Sequence, residues 1–142
     1  MQMKPEEIQA LIDKAKEARD FSYSPYSDYM VGVALVAENG EIITGCNVEN
    51  AAYGPSNCAE RTAFFTAVGK GLRRFRAIAI AGGKRNGESD FAYPCGVCRQ
   101  VMAEFCDPDS FLIIIGKSRE DYRVHTLKEL LPESFGAANL KA

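Results

Sequence analysis

The 142-residue sequence has little excess charge of either sign: 17 Lys and Arg face 19 Asp and Glu, a formal net charge of −2. That balance leaves no electrostatic footprint for duplex nucleic acid or an anionic membrane, and favours a small neutral ligand. No apolar run approaches the roughly 18 residues that a spanning helix needs. The opening residues, Met1-Gln2-Met3-Lys4-Pro5-Glu6-Glu7, lack the apolar stretch of a secretory signal, so a cytoplasmic protein is expected. Twelve Gly and six Pro follow no period, which argues against a fibrous chain, and there is no internal repeat or low-complexity tract. Histidine is nearly absent. The lone His125 falls in a weak strand and is read as structural, not as a ligand.

What remains is ordinary globular material. With 46% hydrophobic and 25% charged residues, the composition argues against disorder, and a single domain over residues 1–142 is expected. Five cysteines without a signal segment argue against a complete disulfide framework and raise metal or thiol chemistry.

Apolar spacing predicts an amphipathic helix over Pro5–Arg19, with Ile8, Leu11, Ile12, Ala15 and Ala18 on one stripe. A strand over 31–37, a turn at Asn39-Gly40 and a return strand over 41–46 read as a hairpin. A polar loop over 47–57 leads into a buried helix over 58–69. A strand over 76–81 precedes a polar loop over 82–92, whose tip is expected to be mobile. Pro94-Cys95 opens another helix to about residue 104, followed by strands at 111–115 and 122–125. Thr126 then caps a short helix over 127–131. This order predicts an α/β fold of three layers, with a mixed sheet of about five strands between helices.

Both short cysteine motifs fall where a helix begins. Cys58-Ala59-Glu60 opens one and Pro94-Cys95-Gly96-Val97-Cys98 opens the other. Three thiolates without a fourth protein ligand match catalytic zinc, which keeps a position for water, better than structural zinc, which is closed by four. Helix amino termini would help to hold Cys58, Cys95 and Cys98 as thiolates. Three thiolates on a dication sum to −1, and Arg61 could offset that charge by donating to sulfur. Taken alone, Cys-x-x-Cys is equally compatible with redox, structural-zinc or packing roles. Cys46 and Cys106 fall outside the pattern and are read as buried small residues.

Asn57-Cys58-Ala59-Glu60-Arg61-Thr62-Ala63 together with Pro94-Cys95-Gly96-Val97-Cys98-Arg99-Gln100 resembles the zinc-dependent cytidine deaminases of the small, homotetrameric, three-cysteine type. Pro25-Tyr26-Ser27, Val31-Gly32-Val33-Ala34-Leu35, the segment from Thr44 to Ala51, and Glu129-Leu130-Leu131-Pro132 with Phe135 are similar to that family too. The resemblance implies one Zn²⁺ per chain on Cys58, Cys95 and Cys98. It implies hydrolytic deamination of free cytidine and 2′-deoxycytidine to the uridines, with zinc-activated water attacking C4 and Glu60 shuttling protons. By the same resemblance Asn47 and Glu49 would bind the ribose 3′-hydroxyl and the backbone N–H of Ala59 the pyrimidine carbonyl. Phe135 would come from a neighbouring subunit over the base, with Tyr53 near that boundary, in a homotetramer with shared active sites. Tyr29 stands where the family commonly has Phe, so the base-facing ring gains a hydroxyl that needs a partner.

Rival functions predict different features. A blasticidin S deaminase shares the cysteine chemistry, but Asn47-Val48-Glu49-Asn50 favours cytidine. A polynucleotide editor needs a basic channel, which is lacking. A structural zinc module predicts a fourth protein ligand, and a dithiol redox protein predicts a reversible Cys95–Cys98 disulfide with little zinc.

Overall fold

The structure, a computed structural model, describes residues 3–141. Helix α1 (Pro5–Arg19) begins with proline, has Glu6 and Glu7 in its first turn and Lys16 and Arg19 in its last, and buries the expected stripe. These charges complement the helix dipole, and proline at the start gives up no needed N–H. Strands β1 (Tyr29–Ala37) and β2 (Ile42–Cys46) form the hairpin. Its turn is closed by Gly40 N–H donating to the Ala37 carbonyl and Glu41 N–H donating to Asn39 Oδ1, both at 2.9 Å. Then follow α2 (Ala59–Gly69), β3 (Phe75–Lys84), β4 (Ser89–Asp90), α3 (Gly96–Phe105), β5 (Leu112–Gly116), β6 (Tyr122–Thr126) and α4 (Leu127–Leu130). A 3₁₀ turn, Ala137–Asn139, lies near the end and was not expected from sequence.

The sheet runs β2-β1-β3-β5-β6, with β4 as a short flap on β3. Among these strands only β3 and β5 pair in parallel, and α3 makes the crossover that parallel pairing requires. The mixed sheet and the order of elements along the chain therefore match the expectation, with one short strand added. Residues 82–84 and 89–90 were expected to be loop, but Gly82 and Gly83 pair with Asp90 and Ser89. Arg19 fixes this extension, donating to the Ser89 hydroxyl at 3.1 Å and to the Lys84 carbonyl at 3.0 Å.

Alternation along the central strands gives three layers. Ala34, Val36, Ala77, Ala79 and Ile114 face α1, while Val33, Leu35, Ile78, Ile80, Ile113 and Ile115 face α2 and α3. Two glycines set the helix-to-sheet distance. A Cβ on Gly32 would lie 2.2 Å from the Ala15 carbonyl oxygen, and one on Gly45 would lie 2.7 Å from that of Ala59. Both helices rest directly on bare backbone, so α2 delivers its first turn close against β2. Among the described residues no helix is long and apolar enough to cross a membrane.

Candidate active site

Cys58 and Cys95 each occupy the residue just before a helix, with extended backbone (φ −73°, ψ 154° and φ −68°, ψ 168°). Their carbonyls accept the first helical bonds, from Thr62 N–H at 3.1 Å and Arg99 N–H at 3.0 Å. Ser, Thr, Asp or Asn normally stands here, because its oxygen satisfies a free helix N–H. Neither sulfur does so. Instead, both turn toward Cys98 in the first turn of α3, and the three Sγ atoms lie within 4.8 Å of one another. Cys58 Sγ is 3.7 Å from Cys95 Sγ, which is 3.5 Å from Cys98 Sγ. Tetrahedral zinc with Zn–S bonds of about 2.3 Å places its sulfurs about 3.8 Å apart, so this donor set fits one Zn²⁺.

Charge in the cluster is directed to Cys58. Hydrogen bonding from Cys98 lowers its pKa to about 5 against the opposing effect of burial, with further help from Arg61 and Cys95. Arg61 Nη2 donates to Cys58 Sγ at 3.3 Å. The Cys98 thiol is correspondingly held up by its bond to Cys58 and by burial. Arg61 Nε is buried and is the only such side-chain nitrogen or oxygen among the described residues without a hydrogen-bond partner.

Glu60 follows in the first turn of α2 and is only 4% exposed. Burial raises its carboxyl to about 7, and the charge of Cys58 pushes the same way, against its own backbone N–H and Arg61. Such a group can bind and release a proton near neutrality. Ala59, at the first helical position, is buried, and its N–H belongs to the helix-start donors that have no partner within the helix.

These groups open onto a cleft of about 410 Å³ lined in part by Tyr29, Asn47, Glu49, Cys58, Ala59, Glu60 and Cys95. The volume lies within the range usual for small-molecule sites. A larger cleft of about 520 Å³ at the Phe75 end of β3 holds Arg73, Arg74 and Asp107 but no thiol cluster, so chemistry and not size singles out the smaller one.

Asn47 and Glu49 reach the cleft through a small scaffold in which Val48 exchanges backbone bonds with Asn57, at 2.9 and 2.8 Å. Asn47 Oδ1 accepts from Val31 N–H at 2.9 Å and from the Ser22 hydroxyl, and Nδ2 donates to the Tyr29 carbonyl at 2.8 Å. One N–H of its amide remains for a ligand. Glu49 Oε1 accepts from the N–H groups of Tyr26 and Ser27, each at 3.0 Å, and Oε2 accepts from the Ser27 hydroxyl. Burial would raise its pKa, but these bonds prevail and hold it below the ordinary value. The Tyr29 hydroxyl finds its partner within the chain, donating to Asp90 Oδ2 at 3.3 Å.

Phe135 is not in the cleft of its own chain; it is 58% exposed, and its carbonyl accepts from Gln100 Nε2 at 2.8 Å. Tyr53 is likewise exposed and packs edge-on against Tyr26. Cys106 is buried as expected, whereas Cys46 is only half-buried; burial raises both thiols. Sequence reasoning missed Ser27, Phe91 and Tyr93 as cleft residues. Two aromatics just before Pro94-Cys95 were the available signal, obscured by assigning 82–92 to a polar loop.

Comparison with known proteins agrees with the geometry. The family described as the cytidine and deoxycytidylate deaminase zinc-binding region matches residues 5–114, which contain Glu60 and all three clustered cysteines. A cytidine deaminase of Sporosarcina psychrophila is 45% identical over 134 residues, covering 94% of this chain and 95% of that protein. The solved cytidine deaminase of Burkholderia pseudomallei is 47% identical with a TM-score of 0.79, over 89% of this chain and 97% of its own. That of Mycobacterium tuberculosis is 35% identical with a TM-score of 0.76, over 89% and 95%. With three sulfurs spaced for zinc, a buried acid beside them and a matching fold, this chain belongs to the zinc-dependent cytidine and deoxycytidylate deaminase family.

Proposed function

We propose that this chain converts cytidine and 2′-deoxycytidine to the uridines, with water consumed and ammonia released. The observation that carries the reading is the three-sulfur cluster of Cys58, Cys95 and Cys98, two of whose cysteines line one cleft of about 410 Å³ together with the buried Glu60. Cys58, Cys95 and Cys98 would hold zinc. Bound there, zinc supplies the acidity that brings a water molecule within reach of a carboxylate base. Glu60 takes the proton of the attacking water and returns it to ring N3. The C4–O bond forms in that step; Glu60 then carries the proton of the new C4 hydroxyl to the amine as the C4–N bond breaks and ammonia leaves. Burial suits it to both directions, since a carboxyl near 7 binds and loses a proton with little driving force either way.

The remaining groups orient the nucleoside. The free N–H of Asn47 and the remaining acceptor capacity of Glu49 take the ribose 3′-hydroxyl, and Ala59 N–H takes the base carbonyl. The Tyr29 ring lies along the base with its hydroxyl engaged by Asp90. Phe135 of a neighbouring copy covers the base in a homotetramer, which accounts for its exposure here. Residues 1–142 act as one domain in the cytoplasm, in salvage of free pyrimidine nucleosides.

Spectrophotometry of the zinc-loaded protein tests the reaction. Absorbance loss is expected with cytidine and deoxycytidine and not with blasticidin S. A zinc-loaded protein that leaves cytidine unchanged refutes the proposal, and turnover of blasticidin S alone assigns the rival substrate.

A further inference from the structure

Phe91 and Tyr93 form one wall of the cleft, on the segment that runs from β4 into Pro94 and Cys95. What holds them lies on the edge strand. Arg123 pairs with Ile115 and His125 with Ile113 across β5 and β6, and both isoleucines belong to the core beneath α2 and α3. Paired residues share a sheet face, so Arg123 and His125 project to the side where the cleft lies.

There the guanidinium of Arg123 sits 3.8 Å from the centroid of the Phe91 ring. Its Nη1 also donates to the Tyr93 hydroxyl oxygen at 3.1 Å. His125 flanks the same hydroxyl, with Nε2 at 3.5 Å, and Lys117 Nζ lies 5.7 Å from the Phe91 centroid. Among the described residues Arg123 forms no ion pair, and its side chain engages the two wall aromatics instead. A planar guanidinium can stack on one ring while donating in its plane to another group, which an ammonium cannot do.

We infer that Arg123 is a positioning residue, bracing Phe91 and Tyr93 so that the outer wall of the nucleoside cleft is preformed. This inference rests on the deaminase reading for the identity of the ligand. Arg123 does not touch the reacting atoms, so its effect falls on substrate affinity and not on the chemical step.

The test uses the zinc-loaded enzyme with Arg123→Met and Arg123→Lys. Losing both contacts in Arg123→Met raises KM for cytidine roughly tenfold while kcat stays within about threefold. Arg123→Lys, which keeps the charge but not the fork, gives an intermediate KM. A KM within about twofold of wild type in Arg123→Met overturns the inference, as does a fall in kcat matching the loss in kcat/KM. Ring NMR with selectively labelled Phe and Tyr judges the brace without substrate. Phe91 and Tyr93 resonances shift and their rings flip faster in Arg123→Met; unchanged spectra overturn it. Failure of the wild-type enzyme to consume cytidine counts against the proposed reaction, and the NMR result then decides the brace separately.

Discussion

Arg61 donates to the Cys58 sulfur at 3.3 Å from its place in the first turn of α2, joining a guanidinium to a thiol whose pKa it helps to lower. Three thiolates around a dication total −1, and a fixed cation beside them lowers the cost of assembling that charge. Arg61→Gln keeps much of the side-chain length and removes the charge. It should weaken zinc retention by about 10- to 100-fold, the usual effect of losing an outer partner of a metal ligand. Competition with a chromophoric chelator measures this, and equal retention in variant and wild type would show that Arg61 does not stabilise the site.

Glu60 can be removed from the chemistry without altering its volume. Glu60→Gln leaves the sulfurs untouched and replaces a buried carboxyl with an amide of the same shape. Zinc content and thermal midpoint should be retained, while kcat falls by about 100- to 10,000-fold, the range for loss of a general acid–base group. Metal analysis and turnover on the same preparation separate the two effects. Near-normal turnover would leave the proton transfer without its assigned carrier.

The two cysteine motifs were legible because their spacing and position announced chemistry before any fold was known. Cys58 and Cys95 stand where helices usually begin with an oxygen-bearing side chain, a local mismatch of the kind found at functional sites. Strand and helix order was legible too, since α1 carries a clear helical stripe and the central strands are short apolar runs buried along nearly their whole length. The flap at 82–90 was not. Its glycines and charges read as loop, and only contacts distant in sequence, from Arg19 and Tyr29, make it strand. Phe91 was hidden for the same reason, because its bracing cation lies 32 residues further along the chain.

Gly45 carries a prediction about how the site is held. A Cβ there would lie 2.7 Å from the Ala59 carbonyl oxygen and 2.8 Å from the Ala63 nitrogen, both backbone atoms of α2. Helix α2 must move away, taking Cys58 and Glu60 with it. Gly45→Ala should therefore cost about 1–3 kcal/mol by overpacking and lower zinc retention as well. Gly69, at the far end of the same helix, would place an added Cβ with nothing within 4 Å and serves as the control. Gly69→Ala should be neutral or slightly stabilising. Denaturant midpoints with matched chelator titrations check both, and equal effects of the two substitutions would refute the close-approach argument.

Acid should loosen the sugar side of the cleft before the chain unfolds. Glu49 holds the turn at Tyr26 and Ser27 through two backbone N–H groups and a hydroxyl, and these bonds keep its pKa below the ordinary value of 4.5 despite burial. A carboxyl with a lowered folded pKa contributes its full stabilisation above about 4.5 and loses it as pH falls through the lower folded value. Exchange protection of the Tyr26 and Ser27 amides should thus be flat from neutrality to about pH 5 and decline below that range. Glu49→Gln should remove the decline and reduce protection at every pH, because its NH₂ cannot accept from Ser27. Protection in the wild type that stays constant until global unfolding would show that the carboxylate does not hold this turn.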